Sequence, residues 1–209
     1  MWNKEKRGLL IALSGPSGSG KGTIVRSLLD KRSDTVLSVS ATTRAPRVGE
    51  VDGVHYHFID RDVFLRMIED NAFLEYAEYN GNFYGTPKAP VEAELAAGHN
   101  VLLEIEVQGA EKVMDSGADL VSVFITIPSM QELERRLRGR DTETEETILS
   151  RLAIAKRELK RAFRYDYVVL NDEVDAAVAR IETIIEAEGM RYPRMENTVM
   201  EVLEHVETD

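Results

Sequence analysis

The chain has 209 residues, no cysteine, 43 % hydrophobic side chains and a net charge of −11. The missing cysteines exclude disulfides and thiolate metal centres, while the apolar share suffices for one large domain with an unstapled core. So acidic a chain argues against a nucleic-acid groove and an anionic membrane surface, and no apolar run reaches the ~18 residues of a bilayer span, so a soluble, cytoplasmic protein is expected.

The first apolar run, residues 9–13, reads as a buried strand. It leads directly into Gly15-Pro16-Ser17-Gly18-Ser19-Gly20-Lys21-Gly22-Thr23, and an apolar helix start follows at residues 24–29. Strand, glycine-rich turn and helix start form the context of a phosphate-binding P-loop. The glycines let consecutive N–H groups converge on one concavity, the helix adds its positive end, and Lys21 adds a mobile charge. The position after the lysine, where a magnesium-binding hydroxyl is usual, is Gly22. Magnesium is then left to phosphate oxygens, waters and an acid elsewhere, or to Thr23.

Further β-branched runs at 36–39, 101–105, 121–127 and 167–170 alternate with helical patterns at 63–68, 91–97 and 148–163. Strands alternating with helices predict an α/β fold with a parallel sheet, with ligands at the carboxyl ends of its strands. Two stretches interrupt the alternation. Residues 40–90 contain the period-two run at 54–59 and an Asn80-Gly81 turn between aromatics, predicting an inserted, partly antiparallel subdomain. Residues 130–160 are rich in Arg and Glu, with Gly139 as a break and a capping-box spacing at Thr142-Glu143-Thr144-Glu145 that predicts a helix start. A helix is expected over 174–188. Pro193 is expected to break the pattern before an acidic tail at 190–209.

Candidate chemical groups lie outside the P-loop as well. Arg44 and Arg47 flank Pro46 and form a stiff pair suited to a second phosphate. Glu75 sits among aromatics, and a buried carboxylate needs two donors, such as the N1–H and amine of a guanine edge. Glu104 and Glu106 end the run at 101–106. Period two would put both acids on one face at the strand's ligand end, as candidates for water-mediated magnesium binding and for the acceptor nucleotide, or simply as solvated acids. Arg136 and Arg140 share a helical face, with Arg151 one helix later, in a spacing equally compatible with surface ion pairs.

Taken together these pieces resemble the guanylate kinase family. The resemblance runs collinearly from about residue 8 to 189, carried by the P-loop, Thr42-Thr43-Arg44-Ala45-Pro46-Arg47-Val48-Gly49-Glu50, Phe73-Leu74-Glu75, Tyr84-Gly85-Thr86, Val107-Gln108-Gly109-Ala110, Arg136 to Arg140 and Val169-Leu170-Asn171-Asp172. It implies a P-loop NTPase-type core (8–39, 98–129, 165–189), a mixed-β GMP-binding subdomain and an Arg-rich lid. It also implies Mg²⁺-dependent transfer of the γ-phosphoryl group of ATP to GMP. By that resemblance Lys21 and the loop amides hold the ATP phosphates, and Asn171 contacts its adenine. Arg44, Arg47, Tyr56 and Tyr84 grip the GMP phosphate. Ser40, Glu75, Gly85 and Thr86 read guanine, with Glu104 and Glu106 beside them, and Arg136, Arg140 and Arg151 close over the transferring group. Glu104 and Glu106 stand where many members have Asp, and Thr86 where Ser is common. A non-catalytic guanylate-kinase-like interaction module is the alternative, disfavoured by the intact lysine and arginines. A kinase for AMP or dTMP is disfavoured by Glu75, and a regulatory GTPase by the lack of an N-K-x-D tetrapeptide. ATP and GMP are the expected partners. Use of dGMP, and whether the chain is a monomer or a homodimer, stay open.

Overall fold

The computed structural model describes residues 7–79, 81–139 and 144–206. The first strand, β1 (Leu10–Ser14), is buried at every position because it lies mid-sheet with both faces covered, which is why its sequence is continuously apolar. It is the central strand of a five-stranded parallel sheet with the order β2 (Thr35–Leu37), β7 (Asn100–Glu104), β1, β8 (Leu120–Thr126), β9 (Tyr167–Leu170). On one face, α1 (Lys21–Lys31) and α7 (Val174–Gly189) bury Ile24, Leu28, Ile181 and Ile185 against Ile11, Leu13 and Ile125. On the other, α3 (Lys88–Ala96) and α4 (Val107–Asp115) pack Val91, Leu95 and Val113 against Leu10, Leu103 and Phe124.

A second, mixed sheet has the order β4 (His57–Phe58), β3 (Ala41–Thr42), β6 (Asn82–Pro87), β5 (Phe73–Tyr79), parallel between β3 and β4 and antiparallel elsewhere. This is the inserted subdomain that the turn signal predicts. Its core is small. Phe64, on α2 (Arg61–Glu69), is fully buried and stacks on Phe73 and Phe83 with ring centroids 4.3 and 5.3 Å away. Phe64→Ala should therefore cost about 3–5 kcal/mol locally. The expected readout is loss of hydrogen-exchange protection in this sheet, with protection of the five-stranded sheet retained.

Several boundaries differ from the sequence expectation. The strand expected over 36–39 is β2, three residues on the sheet edge. The acids at 104 and 106 do not share a strand face, because β7 ends at Glu104 and Glu106 already sits at the N-cap position of α4. The helix expected over 148–163 is α6 (Glu145–Leu159), followed by a 3₁₀ turn at Ala162–Arg164. Around this turn Arg161 makes paired bonds to Glu111 at 2.6 and 2.7 Å, and Arg164 reaches Asp115. The α6 cap is Thr144, which accepts from the Thr147 N–H at 3.3 Å; Thr142 and Glu143 lie outside the described residues. Pro193 opens a helix rather than preventing one. The segment read as an acidic tail contains α8 (Tyr192–Val206), with the proline in its first turn, where no intrahelical N–H is needed. Among the described residues no helix is long and apolar enough to cross a membrane.

Candidate active site

The P-loop joins β1 to α1 at the carboxyl edge of the parallel sheet, as the motif predicts. Gly15, Gly18 and Gly20 all have positive φ, at 144°, 88° and 90°. A Cβ at Gly15 would stand 2.2 Å from the Ile125 carbonyl oxygen, and one at Gly20 would stand 2.4 Å from Asn171 Nδ2, so both positions demand glycine. Lys21 is folded back, its Nζ donating to the Gly15 carbonyl at 2.6 Å and near the Pro16 carbonyl at 3.4 Å. Ser17 and Gly18 are half-buried, and Ser19 is fully buried.

Gly22 leaves room for an acid. A Cβ there would stand 3.4 Å from Glu104 Oε1, so the carboxylate ending β7 reaches the rim of the loop. Burial between the walls of the cleft pushes the Glu104 carboxyl up, Lys21 pulls it down and Glu106 pushes it up again. Thr23 is exposed on the first turn of α1. Glu158, on α6, completes the surroundings. Its carboxyl is raised by burial and by Glu106, and lowered by Lys21 and the Ser17 N–H. Sequence reading missed Glu158, since no local signal ties a glutamate in the last turn of α6 to the P-loop.

Arg136 lies on α5 (Met130–Arg138), which packs with α6 through Leu133, Leu137, Ile148 and Ala155. Its guanidinium donates to Glu132 at 2.7 Å, to the Asn171 carbonyl at 3.0 Å and weakly to the Ser19 carbonyl at 3.5 Å. Arg135 and Arg136 together hold the Glu132 carboxyl down at about 2. Buried Asn171 donates its side-chain amide to the Ser19 carbonyl at 2.6 Å, so the residue expected at the adenine is committed to the loop backbone. Arg151 is half-buried on α6, and Arg140 lies outside the described residues.

The second sheet holds the other cluster. The Arg44 guanidinium stands 5.6 Å from the Tyr56 ring centroid and 5.8 Å from that of Phe58, and Tyr56 and Tyr84 meet edge-on at 6.0 Å. Glu50 engages Arg44 with bonds of 3.0 and 2.8 Å and takes the Arg47 N–H at 2.6 Å, which drives its carboxyl down to about 2. Arg47 itself is exposed, and Ser40 is half-buried beside β4. Thr86 donates its hydroxyl to Glu75 Oε1 at 2.8 Å across the β5–β6 pair. Burial pushes the Glu75 carboxyl up, against the pull of Thr86 and Lys112. Gly85 lets the strands close, since a Cβ there would be 2.9 to 3.0 Å from Phe73, Glu75 and Tyr76.

The two clusters meet at α4. Glu106, at its N-cap, acts through its charge on Glu104 and Glu158, the two acids that Lys21 also influences, and three residues on, a Cβ at Gly109 would stand 3.2 Å from Glu75 Oε2. About one turn of α4 thus runs from the acid at its N-cap to the glycine that borders Glu75.

The guanylate kinase family model matches residues 7–188. A guanylate kinase of Clostridium perfringens is 50 % identical over 199 residues, covering 95 % of this chain and 92 % of the relative. One from Caldanaerobacter subterraneus is 49 % identical over 200 residues, covering 96 % and 97 %. The crystal structure of guanylate kinase from Anaplasma phagocytophilum superposes with a TM-score of 0.71 at 39 % identity, covering 91 % of this chain and 90 % of that one.

Proposed function

The chain belongs to the guanylate kinase family and transfers the γ-phosphoryl group of ATP to GMP, and from that premise we propose which side chains serve each step. The observation that carries this reading is the meeting of the two clusters across one turn of α4. The P-loop amides from Gly15 to Thr23, with Lys21, hold the ATP phosphates. Arg44, Arg47, Tyr56 and Tyr84 hold the GMP phosphate, and Ser40, Glu75 and Thr86 read guanine, with Gly85 beside them closing β6 onto β5. Glu75 offers acceptors to N1–H and the exocyclic amine, a donor pair that adenine lacks. Asn171 supports the loop from behind and borders the adenine position.

In the reaction an oxygen of the GMP phosphate attacks the γ-phosphorus, and the bond from that phosphorus to the β–γ bridging oxygen breaks. GDP and ADP result. No protein nucleophile is needed, so catalysis is positioning and charge neutralisation. Arg44 and Arg136 are already held by Glu50 and Glu132, which orients each guanidinium before phosphate arrives and leaves further N–H groups free to donate. Arg136, with Arg140 and Arg151, closes over the equatorial oxygens and helps exclude water.

Oxygen ligands suited to Mg²⁺ flank the loop. Among the described residues no three acids gather into a metal cage, so the protein supplies few ligands: Glu104 through water, in the space beside Gly22, and the Thr23 hydroxyl. When bound with ATP, Mg²⁺ neutralises charge on the phosphate oxygens. With no cysteine to suggest an oxidising compartment, we place the enzyme in the cytoplasm, with GMP as acceptor.

A coupled assay of ADP release with GMP, dGMP, AMP and dTMP in turn tests the assignment. Turnover with the guanine nucleotides alone is expected. No turnover with any of them would favour the interaction-module reading, and equal turnover with AMP would remove the role given to Glu75. Arg136→Ala is expected to lower kcat by on the order of 10², with little change in KM for GMP. If KM rises while kcat holds, Arg136 serves binding and not transfer.

A further inference from the structure

We propose that Lys112 is a positioning and specificity residue: from α4 it ties down the Tyr76 carbonyl and sets a positive charge beside the neighbouring Glu75, keeping that carboxylate ready for guanine. The inference rests on Glu75 being the guanine reader. Lys112 Nζ donates to the Tyr76 carbonyl and lies 5.3 Å from the Tyr76 ring centroid, so its stem and charge are both engaged by β5. The opposing strand imposes a tight fit, because a Cβ at Gly85 would come within 3.0 Å of Tyr76 Cβ and of the Glu75 carbonyl oxygen. With the backbone clamped on both sides, the Glu75 side chain has little freedom to drift.

Its two oxygens are placed separately. Oε1 takes the Thr86 hydroxyl at 2.8 Å, while Oε2 lies over Gly109, one turn before Lys112 on the same helix. Each oxygen keeps lone-pair capacity for one guanine donor. Gly109 lies in the first turn of the nine-residue α4, whose positive end also favours an anion there. The groups facing Glu75 are Thr86 from β6 and Gly109 and Lys112 from α4, and Lys112 is the charged one among them. Burial alone would push Glu75 towards its protonated form, in which an O–H would confront a guanine N–H. Lys112 opposes that push, so its loss moves protonation of Glu75 to higher pH.

The test is Lys112→Met, which keeps the stem and removes the charge, followed by KM for GMP from pH 5 to 8. KM for GMP should rise about 3- to 10-fold at the acid end and much less at pH 8, with kcat and KM for ATP within about twofold of wild type. The acid limb of 1/KM should move to higher pH, and Lys112→Arg should restore it. A Lys112→Met profile that superimposes on wild type, or a rise in KM independent of pH, overturns the inference. Glu75→Gln separates the two layers. If it leaves the acid limb and KM for GMP unchanged, the guanine-reading role of Glu75 fails. If it abolishes the acid limb that Lys112→Met leaves in place, the role of Lys112 alone fails.

Discussion

Replacing Lys21 by alanine is expected to lower turnover by about 10²–10³-fold while the protein still melts cooperatively. The magnitude is that of removing a preorganised donor from a developing charge. The ammonium donates to the carbonyl oxygens of Gly15 and Pro16, within the concavity proposed to receive phosphate. It therefore needs only to exchange carbonyl oxygens for phosphate oxygens, without travelling from solvent. The structural cost of the substitution is small: about 1 kcal/mol for the lost carbonyl bond. Glycine geometry, the Asn171 amide on Ser19 and the α1 dipole keep the loop in shape. Near-wild-type kcat in the ADP-release assay, with an unchanged circular dichroism melt, would show that the loop amides carry the donor phosphates unaided.

Glu75→Gln should reduce the preference for GMP over AMP, as a ratio of kcat/KM, by about 10⁴, the range lost when a site built to hydrogen-bond its substrate can no longer do so. The substituted amide offers one acceptor and turns an NH₂ towards one of the two guanine donors. Thr86 can still donate to the remaining carbonyl oxygen, so the β5–β6 pair should persist, and removing a half-buried charge should not lower stability. The pH dependence has a definite sign. Because burial raises the Glu75 carboxyl, acceptor affinity falls as pH drops through that raised value, and the glutamine variant should lose this dependence. Retained preference for GMP in Glu75→Gln would transfer base reading to the Ser40 and Thr86 hydroxyls.

The periodic and punctuated parts of the chain were legible in advance. The first strand and the P-loop could be read because apolar residues, glycines and a lysine are contiguous and their spacing has one geometric solution. The strand at 167–170 matches β9 residue for residue, since it is a short apolar run, with two valines at its centre, between polar residues. The hairpin insert was likewise marked by its turn. Ends of elements were less legible. Past the end of α6, Arg161 and Arg164 pair with Glu111 and Asp115 some fifty residues away, which no local signal records, and the acids at 104 and 106 part company because a strand stops between them.

Residue types and local order thus determined by themselves that the chain makes a parallel α/β core with a phosphate loop, a separate aromatic sheet and an arginine-rich helix, since each follows from short-range spacing. Only the tertiary structure decided how these parts share one site. Glu158 beside the loop, Glu50 on Arg44, Asn171 beneath Ser19, and Lys112 and Gly109 against the strand of Glu75 are contacts across 6 to 152 residues. Charge pairing and steric clearance act through space, and no sequence period records them.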